Sequence, residues 1–211
     1  MSKVTLRKRI SKASESLAKS TKFSRSECEA LLNMYVDIAS MTKNKTINRS
    51  IFRHTLFTIF NLTDDFILDR IFAVFYENSD GVISMEEWVK GLSILLRGDL
   101  KEKALFTFSV YDLNDDGVIS RDEIFQMLSL SLANQADNED NDEITRDLVE
   151  YAFKLLDVDH DGKITFDGYL KAVQGEILLL ELLGPCLPTD LAATAFLVKF
   201  EDPHSKRRVK T

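Results

Sequence analysis

The sequence predicts an all-α protein: four helix–loop–helix units paired into two lobes, with extra helices at the N- and C-terminal ends. Three observations carry this prediction. Four turns recur in one register, beginning at Ser40, Tyr76, Asp112 and Asp157, with spacings of 36, 36 and 45 residues and an isoleucine at the eighth position of each. The turns are flanked by apolar residues at helical intervals, such as Ile67, Leu68, Ile71, Phe72 and Phe75 before the second, and Ile124, Met127 and Leu128 after the third. With only 3 Pro and 8 Gly in 211 residues, the chain lacks the turn formers an all-β architecture needs. Core packing explains the apolar stripes but not the shared register.

Residues 1–20 read as a basic helix, LRKRISKASESLAKS, with Leu6, Ile10 and Leu17 on one side. Its apolar side is thin and no aromatic residue is interleaved, so neither a membrane surface nor a nucleic acid is favoured over an acidic protein surface. The first lobe is expected over 21–98. Ser24 with Glu27 marks its first helix start, as Ser84 with Glu87 and Ser120 with Glu123 mark later ones. The first turn, Ser40 to Ile51, has no carboxylate and carries Lys45 where a glycine would ease the bend, so an architectural role is expected. The second, Tyr76 to Glu87, keeps Asn78, Asp80, Gly81, Ser84 and Glu87 but opens on a tyrosine; weak cation binding or none is expected.

The second lobe is expected over 99–176. Its first turn, DLNDDGVISRDE, matches the EF-hand calcium loop at every ligand position. Asp112, Asn114 and Asp116 present side-chain oxygens to one centre, and Gly117 permits the sharp bend. Val118 offers its carbonyl, Ser120 binds directly or through water, and Glu123 supplies two oxygens from the exiting helix. Hard oxygen ligands with three negative charges suit Ca²⁺. The fourth turn, DVDHDGKITFDG, keeps Asp157, Asp159, Asp161, Gly162, the Lys163 carbonyl and Thr165, but ends on Gly168 where a carboxylate belongs. Three crowded aspartates favour a cation. A shell completed by water suits Mg²⁺ or loosely held Ca²⁺. Isoleucines at position eight should pair the loops, Ile47 with Ile83 and Ile119 with Ile164. The acidic ANQADNEDND before the fourth unit reads as a solvated linker.

Residues 177–211 read as C-terminal helices and a basic tail. The fourth exiting helix is expected to run on through GEILLLELL to Gly184–Pro185, and a second helix to follow a Thr189 cap with Leu191, Ala195, Phe196, Val198 and Phe200. These helices would complete the C-terminal core, or cover a groove and compete there with a target helix; the two readings overlap.

Net charge of −7 conceals an uneven distribution: residues 1–25 stand at +7, 199–211 at +3, and the body between them at −17. The basic ends are solvated tails or charge-selective contacts. Cys28 and Cys186, distant in sequence, are read as free thiols of a reducing compartment. MSKVTLRKRI has no signal-like apolar core, no segment would span a membrane, and Ser2 replaces the glycine that myristoylation needs, so a soluble intracellular protein is expected. His54, His160 and His204 are scattered and form no catalytic set by spacing, so no enzyme is expected.

On LTDDFILDRIFAVF (62–75), EEWVKGLSILLRGDLKEKALFTFSVYDLNDDG (86–117), LDVDHDGK (156–163) and above all GEILLLELLGPCLP (175–188), the chain resembles the calaxin family of ciliary EF-hand proteins, distant relatives of neuronal calcium sensors. The resemblance implies a calcium sensor of cytoplasm and axoneme, monomeric before assembly. It would associate with an outer-arm dynein heavy chain and docking-complex proteins and adjust motility with Ca²⁺. Metal ligands carry over onto Asp112, Asn114, Asp116 and Glu123, and onto Asp157, Asp159 and Asp161. Gly168 and Tyr76 stand where the family has acidic residues. Two other readings remain: a calcium-independent docking subunit whose basic ends grip tubulin or dynein, and a regulatory subunit of a cytosolic enzyme resembling calcineurin B or the neuronal sensors.

Overall fold

The computed structural model of the chain describes residues 3–76, 81–133 and 141–200. Helices α1 (Lys3–Ser20) and α2 (Arg25–Ala39) lead to the first loop, which holds strand β1 (Ile47–Asn48) and exits into α3 (Arg49–Phe60). The second unit is α4 (Asp65–Phe75), β2 (Val82–Ile83) and α5 (Met85–Arg97). The third is α6 (Leu100–Tyr111), β3 (Val118–Ile119) and α7 (Arg121–Ala133), and the fourth α8 (Asn141–Leu156), β4 (Ile164–Thr165) and α9 (Phe166–Gly175). A 3-10 helix (Ile177–Glu181) and α10 (Asp190–Leu197) follow. The fold is all-α, with strands only where loops meet. β1 pairs antiparallel with β2, Ile47 opposite Ile83, and β3 with β4, Ile119 opposite Ile164. All four isoleucines are fully buried.

The described residues form two compact units that are not successive halves of the chain. One is drawn from Met1–Asn61, Phe75–Gly98 and Pro188–Thr211, the other from Leu62–Val74 and Asp99–Leu187. Nearly all of α4 therefore belongs with the third and fourth units, whereas the sequence reading placed it over 21–98. α10 belongs with the first unit, whereas the sequence reading had it complete the C-terminal core or cover a groove. Side-chain contacts explain both departures. Arg70 of α4 donates to main-chain carbonyls at the end of α6. Phe196 of α10 packs on Phe60 of α3 with ring centroids 5.3 Å apart.

In the first unit, α1 is a packed helix. Ile10, Ser14 and Leu17 are buried against the α2 and α5 side, while Arg7, Lys8, Arg9 and Lys12 stay exposed. The α2 start is fixed by the Ser24–Glu27 box, and the Glu27 carboxylate also takes two hydrogen bonds from Arg97, at 2.6 and 3.1 Å. Burial works to raise Glu27, yet the bonds from Arg97 and from the Ser24 main chain and hydroxyl hold it below the ordinary carboxylate value. Trp88, Phe52 and Phe75 make the aromatic centre, Phe52 lying 5.0 Å from Phe75 and 6.3 Å from Trp88. Gly91 of α5 lets the Phe75 ring in: a β-carbon there would fall 2.2 Å from a ring carbon. Gly91→Ala should therefore cost about 1–3 kcal/mol through overpacking despite the better helix former. Thermal unfolding measures it, and an unchanged midpoint would mean that the ring has room to move.

In the second unit, Phe108 of α6 contacts Phe166 and Tyr169 of α9, at 5.7 and 5.8 Å between ring centroids. The fourth exiting helix does not run on to Gly184 as expected. It stops at Gly175, and Glu176 turns extended at φ −144°, ψ 106°. Hydrogen bonds then direct the leucine run. The Tyr169 hydroxyl donates to the Leu180 carbonyl and the Tyr111 hydroxyl to the Gly184 carbonyl, both at 2.7 Å. The Glu181 carboxylate accepts from the Cys186 and Leu187 amides at 2.8 and 2.7 Å. Leu180 and Leu183 are buried while Ile177 and Leu178 are exposed, so the run presents one covered side, not a full apolar circumference. Cys28 and Cys186 are buried free thiols, the latter within reach of the Tyr111 hydroxyl. Among the described residues no helix is long and apolar enough to cross a membrane. Residues 134–140, most of the stretch read as a linker, and the basic tail at 201–211 lie outside the described residues.

Candidate metal centre

The four loops hold one bend by different chemistry at or near the first position. Its most constant bond is an amide of the bend donating to a side-chain oxygen five residues earlier. In the third loop the Gly117 amide donates to Asp112 Oδ2 at 2.8 Å, and in the fourth the Gly162 amide donates to Asp157 Oδ2 at 3.1 Å. In the second loop the Gly81 amide donates to the Tyr76 hydroxyl at 2.8 Å. Tyr76 thus closes the turn that an aspartate closes elsewhere, without supplying a carboxylate. The first loop uses Thr42, whose hydroxyl accepts from the Thr46 amide at 3.1 Å and lies 2.9 Å from the Ala39 carbonyl. Lys45 there takes φ 55°, the left-handed conformation that Gly81, Gly117 and Gly162 take in the other loops.

Hydrogen bonds within the third loop hold the side chains predicted for it. Asp112 caps the end of α6, and its Oδ1 accepts from the Asp116 amide at 3.1 Å. Asn114 Nδ2 donates to Asp116 Oδ2 at 2.9 Å, and Asp116 Oδ1 accepts from the Val118 amide at 2.9 Å. Glu123, in the first turn of α7, reaches back across the loop. Its Oε1 accepts from the Leu113 and Asn114 amides at 2.8 and 3.2 Å. Its Oε2 accepts from the amide and hydroxyl of Ser120, both at 2.7 Å. One carboxylate thus ties the loop's beginning to the helix that leaves it. Asp112 and Glu123 are 5% and 7% exposed, so both carboxylates are buried within one short loop. Burial raises the Asp112 carboxyl above its ordinary value against the hydrogen bonds from Gly117 and Asp116, and the charges of Glu123 and Asp116 push the same way. Buried hard oxygens that repel one another fit a divalent oxygen-seeking ion, Ca²⁺ above all.

The fourth loop is gathered more tightly than its sequence suggests. Asp157, Asp159 and Asp161 each place a carboxylate oxygen within 4.8 Å of the others, the one such group of three acidic, histidine or cysteine side chains among the described residues. Asp157 is buried, while Asp159 and Asp161 are exposed. The bend passes through His160 at φ 57° and Gly162 at φ 82°. The Gly168 amide donates to the Thr165 hydroxyl at 3.3 Å, half of the box that Ser84–Glu87 makes completely. A β-carbon at Gly168 would meet only Thr165 Oγ1 at 3.6 Å and the Leu156 carbonyl at 4.0 Å, so a side chain is admitted there.

In the second loop Glu87 is buried and bound to Ser84 as a helix cap, while Asn78 and Asp80 lie outside the described residues. The sequence reading missed what Tyr76 and Thr42 do. The available signal was a hydroxyl-bearing residue close to the loop's start, but hydroxyls are too common in turns to single these out.

Comparison with known proteins agrees with this geometry. A model of the EF-hand domain pair matches residues 101–174, and a model of the EF hand matches 77–93. The chain is 43% identical to calaxin of Bos taurus over 210 residues, covering 96% of this chain and 99% of that one. It is 46% identical to calaxin of Xenopus laevis over 195 residues, covering 90% and 94%. Guanylyl cyclase-activating protein 1 of Lithobates pipiens is 30% identical over 133 residues, 63% of this chain and 62% of that one. With four helix–loop–helix turns paired through their isoleucines and near full-length identity above 40%, the chain belongs to the calaxin family of EF-hand calcium-binding proteins.

Proposed function

We propose that this chain is a calcium-sensing adaptor of the ciliary axoneme that associates with an outer-arm dynein heavy chain and its docking complex and adjusts motility. The observation that carries the sensing role is the position of Glu123, bound at once to the Leu113 and Asn114 amides and to the start of α7. Asp112, Asn114, Asp116, Ser120, Glu123 and the Val118 carbonyl would hold Ca²⁺. Bound there, the ion supplies the positive charge that neutralises the facing carboxylates. As a ligand, Glu123 gives up its bonds to the two amides and carries the start of α7 with it. Apolar surface such as buried Ile124 and Met127 then becomes available to a partner. Asp157, Asp159, Asp161 and the Lys163 carbonyl form a second, weaker site for Mg²⁺ or Ca²⁺. The calaxin relationship supports the axonemal setting.

A second reading has its own support. The first and second loops are closed by Thr42 and Tyr76 hydroxyls, so their turns need no cation. The unit carrying them, with the exposed basic side of α1, is suited to constant docking on an acidic surface such as tubulin. Recovery of dynein heavy chain from axonemal extract on the immobilised protein separates the readings. The sensing role predicts recovery that differs between added Ca²⁺ and chelator, and equal recovery would leave only the docking role.

A further inference from the structure

The Arg70 side chain is 15% exposed, and its guanidinium lies against the end of α6 and the third loop. Its Nε donates to the Val110 carbonyl at 3.1 Å, and Nη1 to the Leu113 carbonyl at 3.3 Å. Nη2 donates to the carbonyls of Ser109 at 3.1 Å and Asp112 at 2.5 Å, and stands 3.5 Å from the carboxylate of Asp115. Asp115 is 79% exposed, so that ion pair contributes little; the carbonyls define the contact. Two of them, Ser109 and Val110, belong to the last turn of α6, where carbonyls lack partners within the helix and the dipole favours a cation. The other two belong to loop positions one and two. Arg70 comes from α4, whose Ile67 also lies against Gly184 of the C-terminal turn. By sequence α4 is the entering helix of the second hand, yet this side chain commits all its nitrogens to the third.

We infer that Arg70 is a positioning residue that couples the cation state of the third loop to helix α4. The coupling rests on the sensing reading above: if Glu123 and Asp112 rearrange around a cation, the carbonyls of Asp112 and Leu113 reorient with them. The rigid five-donor fork of arginine then transmits that change to α4. Lysine, with a compact ammonium, cannot span carbonyls from Ser109 to Leu113. An effector contact of this kind has a reciprocal cost: what calcium does to α4, fixing α4 does to calcium affinity.

The test is hydrogen exchange of the α4 amides, residues 65–75, in the full chain with chelator and with CaCl₂, alongside calorimetric titration with CaCl₂. In the wild type, calcium is expected to change α4 exchange about tenfold. In Arg70→Met the titration at the third loop persists but the calcium-dependent change in α4 falls below about twofold. Arg70→Lys keeps the charge and is expected to lose most of the change as well, which guards against a Met variant that folds poorly. An Arg70→Lys protein that keeps the full change, or a wild type whose third loop titrates while α4 stays indifferent, would overturn the coupling and leave the sensing reading standing. Absence of any titration that depends on Glu123 would instead remove the sensing reading and the coupling with it.

Discussion

Glu123→Gln is expected to weaken calcium binding at the third loop about 100-fold, because it removes the one carboxylate that links the loop to α7. The substitution isolates the ligand role. Glutamine accepts and donates hydrogen bonds at the same helix position, so the box with Ser120 that starts α7 survives. With its single oxygen at the Ser120 amide, glutamine turns an NH2 group toward the Leu113 and Asn114 amides, which lose their acceptor. What disappears is a buried negative charge facing Asp112 and Asp116. Without calcium, relief of like-charge repulsion opposes the loss of those two bonds, so the variant should stay within about 1 kcal/mol of the wild type. Calorimetry and thermal unfolding in chelator measure the two effects separately. Unchanged calcium affinity would show that the third loop does not bind through Glu123.

Gly168→Glu should move the fourth loop the other way, raising its calcium affinity about tenfold or more. The three aspartates already stand with oxygens within 4.8 Å of one another, so the costly gathering of charge is built into the fold. The position is open, with nothing nearer a new β-carbon than Thr165 Oγ1 at 3.6 Å. A glutamate there would also complete the capping box that Thr165 half makes and replace a helix glycine, a gain of about 1 kcal/mol that repulsion from the three aspartates partly offsets without calcium. The two contributions are separable, since only the first depends on the cation. A gain in thermal stability without a gain in calcium affinity would mean that the missing carboxylate does not limit this site.

The parts of this structure that could be read from sequence are those set by local chemistry. Isoleucine at position eight of every loop, with glycine at position six of the last three, fixes where the loops turn and located all four units and both strand pairs. The third loop's candidate ligands could be named from sequence because each residue type has one geometric duty in a twelve-residue calcium loop. Tertiary choices were not readable. The leucine run after Gly175 is compatible with a continuing helix by composition. It bends because hydroxyls on Tyr111 and Tyr169 and the Glu181 carboxylate take up its main-chain groups, and no local pattern announces those partners. Membership of α4 and α10 follows the same rule. Their apolar faces predict burial but not the partner, and Arg70 and Phe196 decide it. The tyrosine at the second loop looked like a lost ligand and is a hydroxyl substitute for the turn's own hydrogen bond.

These observations divide two jobs that an EF-hand loop usually combines. On the proposed reading, Asp157, Asp159 and Asp161 would hold an ion, whereas Asp112 and Glu123 would hold an ion and pull a helix. Crystallography of the protein in calcium at millimolar magnesium, with anomalous scattering to identify each ion, tests this division most directly. Ca²⁺ is expected at the third loop with Glu123 among its ligands, and a weaker or water-completed ion, Mg²⁺ or Ca²⁺, at the fourth. A fully occupied fourth loop beside a third loop without an ion would contradict it.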